Sequence, residues 1–123
     1  MLFPTDQAIL SPRGDALLRR FGLALQEHAT FYTRIEIEGH ADENRSPTFF
    51  RPGDVQDDHG NWRLSAERAI TVAQLLQGLG IPGKQLAVVG RSFYEPENPE
   101  RSEEAWAQNR RVQVRLFYSE ITP

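Results

Sequence analysis

The sequence predicts an α+β domain in which a mixed β-sheet carries helices packed on one face. Residues 35–38 and 112–116 alternate apolar and polar side chains, and this period of two is typical of half-buried strands. Between them, the apolar residues of 69–79 recur at helical spacing. Because helices join the strands, we expect parallel neighbours, right-handed crossovers and the element order β-α-β-α-β-β.

The first third of the chain supplies the first half of this order. After an opening strand within residues 1–10, Ser11 and Pro12 mark a helix start, and the apolar spacing predicts a helix over 12–28. The strand around 35–38 follows and breaks at Gly39. Residues 43–60 then form a long polar loop, and loops above about 12–15 residues are usually functional or mobile.

The remaining elements are predicted from helix caps and strand patterns. Ser65 is a favourable N-cap for the second helix, which Gly80 and Pro82 end. Residues 85–90 read as a short strand. A turn-rich segment follows, with a helical turn around Ala105, and leads into the last strand.

Composition confines the chain to one domain and removes several classes of function. Its 123 residues suit one modest core, so we expect residues 1–123 to form a single domain. The net charge of −3 argues against nucleic acid as a partner. No stretch approaches the ~20 apolar residues that span a bilayer, so we expect membrane attachment only through segments outside this chain. The absence of cysteine excludes disulfides and thiolate chemistry.

No catalytic or metal-binding pattern is recognisable. The chain has no G-x-S-x-G elbow, and its three histidines lie far apart, so we expect no catalytic residue and no enzyme activity. His40, Asp42 and His59 offer metal-binding atoms but match no known ligand spacing. We therefore expect solvated loop acids, no metal and no cofactor.

The pair Asp42 and Arg68 leaves two interpretations open. Asp42 follows a strand end, where ligand crevices open in α/β sheets. Arg68 comes three residues after the predicted cap Ser65, where a cation opposes the helix dipole. A salt bridge to Asp42 or Glu67, or simple solvation, would account for the position of Arg68. Alternatively, Arg68 binds a carboxylate while Asp42 binds an ammonium group, and an amino acid carries both.

Four motifs occur in order along the chain. They are G-H-A-D at 39–42, N-W-R-L-S-A-E-R-A at 61–69, a turn after Gly90 with a later proline, and N-R-R-V at 109–112. Together they resemble the peptidoglycan-binding domain shared by OmpA C-terminal regions, Pal lipoproteins and MotB stator proteins. The second motif is closest to the MotB-like form. The opening strand and first helix are similar too, so the resemblance spans nearly the whole chain and implies the OmpA-like α+β fold.

The resemblance also implies a ligand and its contacts. The ligand is the meso-diaminopimelate of the peptidoglycan stem peptide, whose ammonium group would meet Asp42 and whose carboxylate would meet Arg68. The other positions that match the family's motifs around the pocket are Asn61, Leu64, Ala41, Asn109, Arg110 and Arg111.

Two positions depart from the family pattern. Ala41 stands where a threonine is usual, which removes a hydroxyl from the pocket edge. Ser92 replaces the second glycine of the turn, so we expect an altered backbone there.

The implied function is non-catalytic anchoring to the cell wall. We expect a periplasmic domain of a larger protein held in the inner or outer membrane, for example a MotB-like stator. The alternative is a protein-interaction or dimerisation module that has lost wall binding. Phe49 and Phe50 motivate it, because exposed phenylalanine pairs often mark interfaces. They predict either a homodimer built partly on loop 43–60 or a satellite core against the sheet or second helix.

Overall fold

A computed structural model describes residues 2–28 and 32–118, which form three α-helices and one three-stranded sheet. The helices are α1 (Pro12–Glu27), α2 (Asn61–Gly78) and α3 (Glu103–Asn109), and the strands are β1 (Tyr32–Gly39), β2 (Leu86–Gly90) and β3 (Val112–Tyr118). Short 3-10 turns at Gln56–Asp58 and Gly83–Gln85 precede α2 and β2. The predicted α+β class with a mixed sheet is confirmed.

The sheet has the order β2-β1-β3, with β1 in the centre. β1 runs parallel to β2 and antiparallel to β3, so that Ile37 lies opposite both Val88 and Val114. As a result, the carboxyl ends of β1 and β2 meet the start of β3 at one edge of the sheet. The candidate site lies at this edge.

One face of the sheet holds the core, and the other is charged. α2 packs on β1 and β2, and α1 packs on α2. Ile35 and Ile37 are fully buried in one apolar cluster with Val72 and Leu76 of α2. Full burial of such a side chain contributes about 1.5–3 kcal/mol. None of the described helices is long and apolar enough to cross a membrane.

The predicted opening strand does not form in residues 2–10. The segment folds back on itself, with Ser11 N donating to the Leu2 carbonyl at 2.9 Å. Arg68 of α2 binds the carbonyls of Pro4 and Gln7, and Pro4 has no N–H to donate. Because these backbone groups bond elsewhere, they cannot join the sheet ladder. The described order is therefore α-β-α-β-α-β.

The start of α2 also differs from the prediction. The helix begins four residues before Ser65, because both carboxylate oxygens of Asp58 accept from Trp62 N, at 3.0 and 2.9 Å. Gly60 precedes the helix with a φ of 84°, which glycine adopts without strain. Arg68 consequently lies two turns inside α2, so its predicted position in the first turn, opposing the helix dipole, is wrong.

The other helix and strand predictions agree closely with the structure. α1 begins at Pro12 and ends at a cap on His28, with Ser11 accepting from Gly14 N at 3.0 Å. The helical turn predicted around Ala105 is the seven-residue α3, capped by Ser102. Loop 43–60 contains only the 3-10 turn as regular structure.

Candidate functional site

Hydrogen bonds extend β1 beyond its last residue and carry the chain to Asp42. His40 N donates to the Arg111 carbonyl at 2.9 Å, and Ala41 N donates to the Ser92 carbonyl at 2.8 Å. These bonds tie the end of β1 to the segments that follow β2 and precede β3. Asp42 is therefore held in place on both sides of the strand.

Gly39 allows α2 to approach this strand end closely. A Cβ atom at Gly39 would lie 2.0 Å from the Ser65 carbonyl oxygen of α2, which no side chain tolerates. The glycine of the G-H-A-D motif is thus required by helix–strand packing. This close approach places α2 directly beside Asp42.

The side chain of Asp42 is nearly buried and bound at both oxygens. Arg110 Nη1 donates to Oδ2 at 2.7 Å, and Asn44 N donates to Oδ1 at 2.8 Å. Asn61 Nδ2 donates to the backbone carbonyls of Asp42 and Asn44, both at 3.0 Å. Burial lowers the pKa of Arg110, but the hydrogen bonds that Arg110 donates to Glu103 and Asp42 outweigh burial and raise that pKa. Asp42 is therefore a fixed carboxylate with a cationic partner.

Arg68 is almost fully buried, with 1% of its surface exposed, and forms hydrogen bonds to neutral groups. Its Nε donates to the Gln7 carbonyl at 2.9 Å and its Nη2 to the Pro4 carbonyl at 3.3 Å. Burial, followed by repulsion from Arg110, lowers the pKa of Arg68 to about 10, while Asp42 opposes the shift. The guanidinium stays protonated at neutral pH. Since its hydrogen bonds go to carbonyls, a carboxylate brought beside it would stabilise a buried charge.

Four predicted site residues line one cavity of about 320 Å³, namely Asp42, Leu64, Arg68 and Arg110. The sequence interpretation missed the other lining residues, which come from the opening segment, the long loop and α3: Thr5, Asp6, Asn44, Arg45, Ser46, Glu103 and Trp106. Asp6 fixes the loop here, since it accepts from the side chains of Ser46 and Thr48. No local sequence signal identifies these residues, because only the tertiary fold brings them to the cavity.

A second cavity of about 290 Å³ lies on the other side of Asp42 and contains Ala41 and Asn109 among its lining residues. The side chain of Asn109 binds the turn before α3. It donates to the Asn98 carbonyl at 2.8 Å and accepts from the Asn98 N–H at 2.9 Å. Arg111 lies away from both cavities, with its Nε 3.2 Å from a Glu97 oxygen. The structure therefore does not bring Arg111 to Asp42.

Ser92 keeps the backbone conformation that its glycine-like position requires. Its φ is 54°, in the left-handed region, so the expected alteration of the turn is wrong. Two hydrogen bonds hold it there. Its N–H donates to Ser65 Oγ at 3.0 Å, and its hydroxyl donates to the Asp58 carboxylate that caps α2. The serine thus connects the turn after β2 to the helix cap.

Glu38, His40 and Glu95 form a cluster whose ligand atoms lie close enough to hold a metal. The fully buried Glu38, however, is paired with Arg115 at 2.9 Å and Arg91 at 3.6 Å. A metal ion would have to compete with two guanidinium groups, so the charge balance disfavours it. His40 Nε2 lies 3.0 Å from Glu38 Oε1, and burial followed by repulsion from Arg111 lowers the pKa of His40. The cluster is a neutral histidine donating to a paired carboxylate.

Phe49 and Phe50 of loop 43–60 are both half-buried. Phe49 lines a cleft together with Trp62 and Ala66 of α2. The Arg45 guanidinium packs over the ring of Phe50, with its Cζ 4.5 Å from the ring centroid. Much of their apolar area is therefore already covered within the domain.

Comparisons with known proteins agree with this architecture. The family model described as "OmpA family" matches residues 2–110. Protein YtxE of Bacillus subtilis is 30% identical over 99% of this chain and 47% of its own length. A peptidoglycan-associated lipoprotein of Legionella pneumophila is 35% identical over 65% of this chain and 39% of its own. The chain thus spans at most about half the length of these curated relatives.

Solved structures are similar too, among them the following two. The cell wall anchor of the type VI secretion system from Pseudomonas aeruginosa is 30% identical, with a TM-score of 0.74 over 96% of this chain and 76% of that one. A MotB-like protein from Desulfovibrio vulgaris is 28% identical, with a TM-score of 0.79 over 96% and 70% of the two chains. The family match covers well over half of the sequence, and it confirms the resemblance inferred from the four motifs. This chain belongs to the OmpA family.

Proposed function

We propose that this domain binds peptidoglycan without catalysis and ties a larger, membrane-attached protein to the cell wall. The observation that carries the proposal is the single cavity shared by Asp42, a fixed carboxylate, and Arg68, a buried cation whose hydrogen bonds go to carbonyls. Among relatives of this chain are a peptidoglycan-associated lipoprotein and a cell wall anchor, which supports a wall ligand.

The ligand group we propose is meso-diaminopimelate of the stem peptide. The free end of its side chain carries an ammonium group and a carboxylate on one carbon, so it needs an anionic and a cationic partner close together. A carboxylate has about four lone-pair sites, and Arg110 and Asn44 occupy two of those on Asp42. The remaining sites would accept the ligand's ammonium group.

The ligand's carboxylate would meet the guanidinium of Arg68. A guanidinium has five N–H donors, and the hydrogen bonds of Arg68 to the carbonyls of Gln7 and Pro4 use two of them. Leu64 supplies an apolar wall of the same cavity. Lysine lacks this second carboxylate, so a lysine-type stem peptide would leave the Arg68 contact unmade.

The remaining predicted residues would act around this pair. Arg110 orients Asp42 and contributes positive charge near the ligand's carboxylate. Asn61 fixes the backbone of Asp42 and Asn44, so we assign it a positioning role. A wall ligand places the domain in the periplasm, and the membrane attachment would come from segments outside this chain. A MotB-like stator is one such parent protein.

The direct test is a pull-down of the purified domain with diaminopimelate-type sacculi. Asp42→Asn removes the charge that would hold the ammonium group, and we expect it to lose about 2–5 kcal/mol of binding. Asp57→Asn, at an exposed carboxylate in the same loop, is the matched control and should bind like wild type. Arg68→Lys tests the other end, because lysine keeps a charge but lacks the planar fork.

The outcome separates the proposal from its alternatives. Equal binding by wild type, Asp42→Asn and Arg68→Lys would show that the proposed cavity is not the site. Absence of binding by wild type would instead favour the interaction module. Release of soluble fragments from the sacculi would contradict the non-catalytic assignment.

A further inference from the structure

Three neighbouring aromatic rings, two exposed and one half-buried, lie beside the start of α2. Trp62 is 49% exposed, and its ring centroid lies 5.5 Å from that of Tyr94, which is 51% exposed. Tyr94 in turn stacks on Phe93 at 4.5 Å. We call these three residues the aromatic platform. Grouped rings of this kind offer a flat apolar surface on which a small ligand can stack.

A cleft of about 610 Å³ lies next to Trp62, between α2 and loop 43–60. Phe49 and the exposed Val55 supply apolar lining, and Asp54 and Arg63 supply polar lining. Arg63 donates to both oxygens of Asp54, at 3.1 and 2.9 Å, so the two planar groups are fixed relative to each other. Sugars present apolar C–H faces and a rim of hydroxyl groups. The aromatic rings can stack on the C–H faces, and the fixed planar polar groups can bond to the hydroxyl groups.

The aromatic platform adjoins the cavities around Asp42. Phe93 and Tyr94 line the 290 Å³ cavity together with Asp42 and Trp106, and these last two residues also line the 320 Å³ cavity. A continuous surface therefore runs from the proposed stem-peptide pocket to Trp62. In peptidoglycan every stem peptide is attached to a sugar, and diaminopimelate is its third residue. The sugar thus lies within a reach of about 10 Å from the residue in the pocket.

The exposed area is too small for a stable protein interface by itself. A half-exposed tryptophan and tyrosine offer about 100 Å² each, whereas a standard interface buries about 800 Å² on each partner. One or two sugar rings need no larger surface. The observations therefore favour a saccharide over a second copy of the chain.

We propose that the aromatic platform and the adjoining cleft bind sugar rings of the glycan strand. Trp62 stacks on the apolar face of a ring, Tyr94 extends the stacking surface, and the Asp54–Arg63 pair bonds to hydroxyl groups. This inference rests on the proposed function, because it gives the same wall polymer a second contact.

The test uses peptide-free glycan strands, prepared from sacculi by amidase treatment, as the titrant in calorimetry. Wild type should bind them, and Trp62→Ala should weaken binding about tenfold, the size expected for one lost stacking contact. Trp62→Phe keeps a ring and should restore most of the affinity. Tyr118→Ala removes an exposed ring from the distant β3 and should have no effect. Melting curves of both Trp62 variants check that each is folded.

A second titration with a free tripeptide ending in diaminopimelate separates this inference from the proposed function. Trp62→Ala should bind the tripeptide like wild type, and Asp42→Asn should bind the glycan strands like wild type. If wild type binds the tripeptide but not the strands, the platform assignment is overturned and the proposed function stands. If wild type binds the strands but not the tripeptide, the proposed diaminopimelate site is overturned and the platform assignment stands. A change of molecular mass in Trp62→Ala would identify the platform as a protein interface and overturn the inference.

Discussion

Arg110 donates to the carboxylate of Asp42 over 2.7 Å, and these two side chains are only 6% and 9% exposed. They lie 68 positions apart in the chain and meet because β3 begins where β1 ends. The Asp42 carboxylate is therefore neutralised before any ligand arrives. A ligand's ammonium group would share this carboxylate with Arg110 rather than bind an isolated charge.

Removing Arg110 should destabilise the fold. Arg110→Gln leaves a nearly buried carboxylate without its cation, and we expect the free energy of unfolding to fall by about 3 kcal/mol. Urea denaturation measures the change. Glu103→Gln is the matched control, because Glu103 pairs with the same guanidinium at 2.8 Å but is 74% exposed. It should cost less than about 1 kcal/mol. Equal losses in the two variants would contradict the burial argument.

Replacing Ser92 with alanine should destabilise the domain more than replacing it with glycine. Both variants lose the hydroxyl bond to the helix-capping Asp58, but glycine adopts the φ of 54° without strain. We expect Ser92→Ala to lower the free energy of unfolding by about 1–2 kcal/mol. Ser92→Gly should lie close to wild type. A glycine variant as unstable as the alanine variant would mean that the backbone conformation contributes nothing.

His40 should make the domain sensitive to mild acid. Burial lowers the pKa of His40 from its usual 6.5, so below that pH the unfolded chain binds a proton that the folded chain does not. Stability should therefore fall as the pH drops from 7.5 to 5. Glu38 does not complicate this window, because its pKa is lowered from 4.5 and its contribution is lost only at lower pH.

Melting temperatures across that pH range test the assignment. His40→Gln keeps an N–H donor for Glu38 and should flatten the pH dependence. A His40→Gln profile as steep as wild type would assign the acid sensitivity to another group.

The loop phenylalanines should stabilise the monomer. Phe49 and Phe50 are half-buried against α2 and Arg45, so replacing both with serine removes apolar contacts within the domain. We expect a lower melting temperature with no change of mass in sedimentation. Loss of a dimer with an unchanged melting temperature would restore the interface interpretation of this loop.

Local patterns in the sequence were sufficient to predict most of the regular structure. The alternation in β1 and β3 and the apolar spacing in α1 each lie within one element, so no distant contact is needed to interpret them. The start of α2 was misplaced because two candidate caps are present. Ser65 looks favourable in sequence, but Asp58 is the residue that Ser92, 34 positions away, holds at the helix end.

The lining of the candidate cavity is predictable from the sequence only in part, for a similar reason. A strand end, a helix position and two motifs all indicate Asp42 and Arg68, and the fold places both residues on one cavity. The hydrogen bonds of Arg68 to Pro4 and Gln7 join residues more than 60 positions apart, and no sequence period reports such a contact. The same bonds explain why the opening segment does not join the sheet.

Arg111 follows Arg110 in the motif, but successive residues entering a strand point to opposite sides. Arg111 therefore points away from Asp42, although Arg110 binds it.

The proposed function requires that one cavity recognises both charges at the free end of diaminopimelate. Calorimetric titration of the wild-type domain with two tripeptides, identical except for a terminal meso-diaminopimelate or lysine, tests it most directly. We expect the diaminopimelate peptide to bind at least about tenfold more tightly, because lysine leaves the buried Arg68 charge without its carboxylate. Equal affinity for the two peptides would show that the cavity does not recognise the carboxylate of diaminopimelate.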